Sequence, residues 1–217
     1  MNEPVIAREA EIEHLLAILR NDGIHDEDVL RALASIPREI FVAEPFVSRA
    51  WENVALPISK GQTISQPYIV ALMTQALELN DRMKVLEVGT GSGYQAAILA
   101  KLARRVYTLE RHKPLLREAE DKFRELGLHT ISTLHGDGGL GWKAQAPFDR
   151  IIVTAAAQDV PPVLVDQLAI GGIMVVPVGE VSHTQLLLRV LRTPTGIDVT
   201  ELMPVRFVPM LPGTEEF

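Results

Sequence analysis

Between residues 9 and 21 the apolar positions Ile12, Leu15, Leu16 and Leu19 fall at i, i+3, i+4 and i+7, and Gly23 stands where such a helix would end. That spacing lines one face of an α-helix. Val29, Leu30 and Leu33 predict a second helix, which Asp26 or Asp28 can cap and Pro37 stops. From residue 45 to residue 67 the periodicity fades into turn formers, among them Pro57, Gly61 and the segment G-Q-T-I-S-Q-P (61 to 67). A long irregular stretch inside a compact chain is more often functional than idle.

Beyond residue 67 two periods alternate. Strand-like apolar runs occupy 84 to 88, 105 to 109, 130 to 134, 149 to 153 and 172 to 176, and helical patterns fall at 67 to 78, 94 to 103, 114 to 126 and 161 to 169. Strand, helix and strand repeated in this way build a parallel sheet covered on both faces. The runs 184 to 192 and 197 to 202, joined by T-P-T-G, predict an antiparallel hairpin at the sheet edge. The fold class that follows is α/β: a doubly wound, mostly parallel seven-stranded sheet preceded by N-terminal helices. Residues 1–66 would form the helices and a covering segment, and residues 67–217 the core, in one compact unit.

Composition narrows the function. A chain of 217 residues, 47% of them hydrophobic, has the material for one sizeable core. Its formal charge of −7, from 28 acidic and 21 basic residues with no basic block, disfavours a nucleic-acid partner. There is no cysteine, hence neither disulfides nor thiolate metal sites. Met1 to Ala10 contains no apolar leader core, and no apolar run approaches the roughly 18 residues of a membrane span. A soluble cytoplasmic protein without a membrane partner is the expectation.

The first strand of the alternating region runs straight into E-V-G-T-G-S-G-Y, the junction at which an open parallel sheet presents its ligand site. Gly89, Gly91 and Gly93 let the backbone turn sharply beside a ligand. Starting at Gly91, G-S-G-Y-Q-A also fits the dinucleotide pattern, so a nicotinamide oxidoreductase and a ligand-free glycine turn are both alternatives. Glu110 closes the second strand, 23 residues after Glu87, where an acid can accept from a ribose diol or merely begin the next helix in solvent. Asp137, between Gly136 and Gly138, can reach an adenine amino group or form an Asp-Gly turn. A hydride-transfer Tyr-x-x-x-Lys pair is missing, since none of Tyr68, Tyr94 and Tyr107 has a lysine four residues on. His135 and His183 have no partner spacing that suggests a metal or a triad, and Trp51 and Trp142 are read as core or rim residues.

The string H-G-D-G-G-L-G-W-K-A-Q-A-P-F-D-R-I (135 to 151) resembles the signature of the protein-L-isoaspartate (D-aspartate) O-methyltransferase family, through Asp137, Gly138, Gly141, Trp142, Ala146, Pro147, Phe148, Asp149 and Ile151. G-Q-T-I-S-Q-P is similar to that family's segment between its N-terminal helices and the cofactor fold, and V-R-F-V-P-M (205 to 210) to its C-terminal groove strand. The resemblance implies the Rossmann-like sheet of S-adenosylmethionine (SAM)-dependent methyltransferases, with S-adenosylhomocysteine as product and no metal. It implies Ser65 as the catalytic residue and Ile64, Ser65 and Val208 as substrate contacts. Cofactor contacts implied are Gln62, Thr63, Ile64, Glu87, Gly89, Thr90, Gly91, Ser92, Gly93, Glu110, Arg111, Asp137 and Gly138. Partners would be isoaspartyl-containing proteins and peptides, met by a monomer. Two alternatives stay open: a non-catalytic SAM or isoaspartyl-peptide binding module, and Ser65 as the N-cap of the helix at 67 to 78.

Overall fold

The structure, a computed structural model, describes residues 3–180 and 183–216, with side chains from Arg8 onward. Met1 and Asn2, at the start of the segment expected to lack a leader, lie outside the described residues. Helix α1 (Glu3–Asn21) begins earlier than its apolar stripe, and it buries Leu15, Leu16 and Leu19. Helix α2 (Glu27–Ser35) is capped by Asp26, whose side chain accepts from the backbone N–H groups of Asp28 and Val29. Asp28 is therefore in the first turn, not the cap. Val29, Leu30 and Leu33 are all buried, and each such side chain contributes roughly 1.5–3 kcal/mol relative to exposure.

The irregular stretch contains short 3-10 turns and a two-stranded antiparallel ribbon, β1 (Leu56–Pro57) with β2 (Thr63–Ile64), in register Leu56 to Ile64. Helix α3 (Pro67–Ala76) follows, and then strand and helix alternate: β3 (Lys84–Val88), α4 (Tyr94–Leu102), β4 (Arg105–Glu110), α5 (Lys113–Glu125), β5 (Ile131–His135), β6 (Phe148–Val153), α6 (Pro162–Gln167) and β7 (Leu168–Val178). β8 (Gln185–Thr193) and β9 (Gly196–Val205) form the expected hairpin, turning on Pro194 and Thr195.

One seven-stranded sheet results, in the order β5-β4-β3-β6-β7-β8-β9. The pairs from β5 through β7 are parallel, and β7-β8 and β8-β9 are antiparallel. Alternate residues serve opposite faces. Val85, Val106, Ile152 and Val175 join the larger core with α1 to α4, whereas Leu86, Val88, Ile151, Val153 and Val176 join a smaller one with Leu164 of α6. The larger core also takes in Leu56 and Ile64, so the sheet and the N-terminal third share one apolar interior. The coverage is unequal, because only the short α6 and 3-10 turns cover much of the second face.

From β3 the chain winds outward to β4 and β5, then crosses back to place β6 on the other side of β3. That reversal leaves a crevice beyond the carboxyl ends of β3, β4 and β6.

Candidate functional site

A cavity of about 520 Å³ occupies this crevice. Its floor is the turn after β3. Gly89, Gly91 and Gly93 have φ of 96°, 52° and 90°, a region that L side chains rarely adopt. Packing adds a second demand at two of them: a Cβ on Gly89 would lie 2.3 Å from Thr154 Oγ1, and one on Gly93 would lie 2.8 Å from Phe123 Cε1. Gly89, Thr90, Gly91 and Ser92 line the cavity, whereas Gly93 is turned to the α5 side.

Glu110, at the tip of β4, holds this turn. Its Oε2 accepts from Gly91 N at 2.8 Å and its Oε1 from His112 N at 2.9 Å. It is only 5% exposed yet lines the cavity, and each carboxylate oxygen retains acceptor capacity for a ligand hydroxyl. Glu87 lies behind the turn instead. Thr108 Oγ1 donates to Glu87 Oε2 and Thr90 Oγ1 lies 2.6 Å from Thr108 Oγ1, so with the Thr108 proton engaged Thr90 is the donor in a relay running from the cavity wall inward. Glu87 Oε1 has no partner, and burial, despite the Thr108 bond, pushes the carboxyl up to about 8, helped by neighbouring Glu110.

Gln62, Thr63, Ile64 and Ser65 form one wall. A single buried cation anchors that segment: Arg38 donates to the carbonyl oxygens of Ala50, of Val54 at 3.2 Å and of Ser65 at 3.0 Å. The N-cap of α3 is Gln66, without a side-chain cap bond, and the Ser65 hydroxyl makes no hydrogen bond among the described residues. Ser65 is thus one residue too early to cap, and its hydroxyl is available at the cavity.

The opposite wall is the end of β9 and the segment that follows it, from Met203 to Leu211, including Val208. It is tied to the end of β6 by Ala156 N to Val208 O at 2.7 Å and Met210 N to Ala156 O at 2.8 Å. Fully buried Gln185 clamps Phe207 from both sides, donating Nε2 to its carbonyl at 3.1 Å and accepting its N–H on Oε1 at 2.6 Å.

Asp137 is placed differently from its expected site. It caps the following 3-10 turn through Gly139 N at 2.8 Å and accepts from Gly213 N at 2.6 Å, so its carboxylate holds the C-terminal segment and does not line the cavity. Neighbouring Gly138 does line it, and a Cβ there would meet Val88 Cγ1 at 2.4 Å. The same C-terminal segment engages Arg111, which reaches Glu215 at 3.0 Å and the carbonyls of Pro212 and Gly213. The rest of the string from 135 to 151 is architectural. Asp149 accepts from Lys84 N where β3 begins, Trp142 and Phe148 pack edge-on against Tyr107, and Gln167 bonds Trp142 N.

Thr154, Ala155 and Met203 also line the cavity and were not singled out from sequence, whereas Arg206 and Met210 line it from within V-R-F-V-P-M, marked there as a segment without individual roles. The switch-point rule marks Thr154 and Ala155, since they follow β6. No period or motif marks Met203. Among the described residues no three His, Asp or Glu side chains cluster as a metal would need, and no helix is long and apolar enough to cross a membrane.

Strand order, glycine turn and the placement of Glu110 together define a doubly wound α/β protein with a ligand crevice at the switch point of its sheet. Comparison with known proteins narrows this class. Residues 10–215 match the family model described as protein-L-isoaspartate(D-aspartate) O-methyltransferase. A protein-L-isoaspartate O-methyltransferase of Paramagnetospirillum magneticum is 58% identical over 209 residues, covering 96% of this chain and 98% of its own; one of Rhodospirillum rubrum is 61% identical over 201 residues, covering 92% of each. Two solved structures, each 28% identical and each covering 91% of this chain, superpose with TM-scores of 0.83 and 0.79. The first is a protein-L-isoaspartate O-methyltransferase of whose length this chain spans 65%; the second, from Plasmodium falciparum, is spanned over 97% and is in complex with S-adenosyl-L-homocysteine. The chain belongs to the protein-L-isoaspartate(D-aspartate) O-methyltransferase family, and its sheet is that of the SAM-dependent methyltransferases.

Proposed function

We propose that the chain moves a methyl group from SAM, leaving S-adenosylhomocysteine, to the free α-carboxylate of L-isoaspartyl residues in damaged proteins and peptides, giving an ester. The neighbouring peptide nitrogen of the substrate then attacks the ester carbonyl, with loss of methanol, to form a succinimide and so begin repair. The observation that carries this reading is one cavity with a nucleoside-ready floor, Glu110 and the glycine turn, and a serine with an uncommitted hydroxyl on its wall.

When bound, SAM supplies a methyl group on a cationic sulfonium. Glu110 accepts from the ribose hydroxyls, while Gly89, Thr90, Gly91 and Ser92 present backbone to the remainder. Gln62, Thr63, Ile64, Arg111 and Gly138 complete the enclosure; Glu87, Gly93 and Asp137 act from behind, by holding the turn and the C-terminal segment. Ser65 donates its hydroxyl to one oxygen of the substrate carboxylate and leaves the other aimed at the methyl. Ile64 and Val208 flank the peptide from the two walls.

A carboxylate with a reference pKa of roughly 3.3–3.9 is already ionised near neutral pH, so no general base is needed. Nor does the step call for a metal. Nucleophile and sulfonium lose charge together as the bond forms, so excluding water from the pair raises the reactants more than the transition state, and alignment supplies on the order of 7–11 kcal/mol. Residues 1–66 act here as the cover, and residues 67–217 as the core beneath it. The reading includes a cytoplasmic monomer without nucleic-acid or membrane partners, in keeping with the net charge of −7.

Incubation with SAM and an isoaspartyl peptide, followed by fragmentation mass spectrometry, tests it. The ester should sit on the α-carboxylate and give way to succinimide. A binding module would leave the peptide unchanged.

A further inference from the structure

We propose that Arg206 is a specificity-determining residue that favours isoaspartyl sites flanked by acidic side chains; this rests on the methyltransferase reading of the cavity. The lining contains two arginines. Arg111 is spent on the C-terminal segment, through Glu215 and the carbonyls of Pro212 and Gly213. Arg206 makes no hydrogen bond or ion pair among the described residues and is exposed at the cavity's rim.

Its position is nonetheless fixed. Val205 before it is buried in the larger core and pairs with Gln185, and Phe207 after it is clamped at both backbone groups by the same Gln185. A cation on a held stretch of backbone, with an exposed and unpaired side chain, suits a charge on the part of the peptide that stays outside. The target carboxylate is a poor partner for it. That group must enter the dry part of the cavity, and pairing with an arginine would lower its nucleophilicity.

The surrounding charge sharpens the case. With a formal charge of −7 the chain repels acidic peptides at long range, and the one other charged group at the cavity with exposed character is already paired. Arg206 therefore supplies the local attraction that lets an acidic stretch approach, and isoaspartyl sites in acidic stretches gain most.

Three peptides with blocked ends test this, identical except that the isoaspartyl residue is flanked on both sides by Glu, by Gln or by Lys. For the wild type, kcat/KM should fall in that order, with a Glu-to-Gln ratio of about two- to fivefold, the scale of an exposed ion pair. The ratio should shrink as salt is raised. It should fall to one or below in Arg206→Gln and further still in Arg206→Glu. A structural role alone would lower all three rates together and leave the ratio. Equal wild-type rates on the Glu and Gln peptides, or a ratio that survives Arg206→Gln, would overturn the proposal while leaving the methyltransferase reading in place. Failure to methylate any of the three would remove both.

Discussion

Replacing Arg38 by methionine should loosen the cover of the site more than any change at its surface. Arg38 is fully buried and faces no carboxylate; its guanidinium holds carbonyl oxygens of Ala50, Val54 and Ser65, from three separate turns, and lies 5.6 Å from the ring of Tyr94. Burial alone pushes its pKa down. Hydrogen bonds from a charged group contribute about 1.5–3 kcal/mol each, but methionine also recovers part of a desolvation cost of several kcal/mol. Of the three freed carbonyls, those of half-buried Val54 and Ser65 can take water, whereas fully buried Ala50 is left dry, at about 1–3 kcal/mol. The net loss should be about 2–4 kcal/mol, a fall in Tm of about 4–16 °C for a chain of this size. Calorimetry reads the first effect. The KM for an isoaspartyl peptide should rise as well, because the Ser65 carbonyl is no longer held. Arg38→Lys, which keeps the charge but not the fork, should recover only part of both. A methionine variant with unaltered Tm and unaltered KM would refute the anchoring role.

Three further outcomes are expected. Ser65→Ala should lower turnover by about ten- to a thousandfold, by mispositioning the carboxylate, while SAM affinity and Tm stay put; a lowered Tm with normal turnover would make Ser65 a residue of the fold and not of the reaction. Glu110→Ala should weaken SAM binding by about 1.5–3 kcal/mol per lost ribose hydrogen bond, measured by titration calorimetry, and unchanged affinity would sink the assignment. Glu87 is held at about 8 in the folded protein, above its usual 4.5, so the stability it confers is full below about 4.5 and is lost as pH rises through about 8. Relative to Glu87→Gln, the wild type should therefore lose stability between pH 5 and 8; parallel pH profiles would mean that Glu87 is ionised throughout.

The parts of the fold that were legible in the sequence are those where one physical demand sets the pattern. β3 runs from 84 to 88 as its strand-like run does, because a parallel strand buried on both faces carries apolar side chains on each, here Val85, Leu86 and Val88, with buried Glu87 the exception beside the ligand turn. β7 extends to Leu168–Val178, well beyond its run at 172 to 176, because Leu168 pairs with Phe148 across a register shift that no local period encodes. Glycines of the β3 turn were legible since φ requires all three and packing requires Gly89 and Gly93 as well. Asp137 was placed at the adenine because its neighbours are glycines, but its second partner, Gly213, lies 76 residues on. Arg38 left no trace for the same reason: its partners are backbone carbonyls, which carry no sequence signature. The string from 135 to 151 identified the family chiefly through residues that build the second core, not the cavity.

Two peptides of identical composition, one with an L-isoaspartyl residue and the other with L-aspartyl at the same position, test the central claim most directly. With labelled SAM, the isoaspartyl peptide should acquire base-labile methyl groups while the aspartyl peptide acquires none above background. Equal labelling of both peptides, or of neither, would contradict the account.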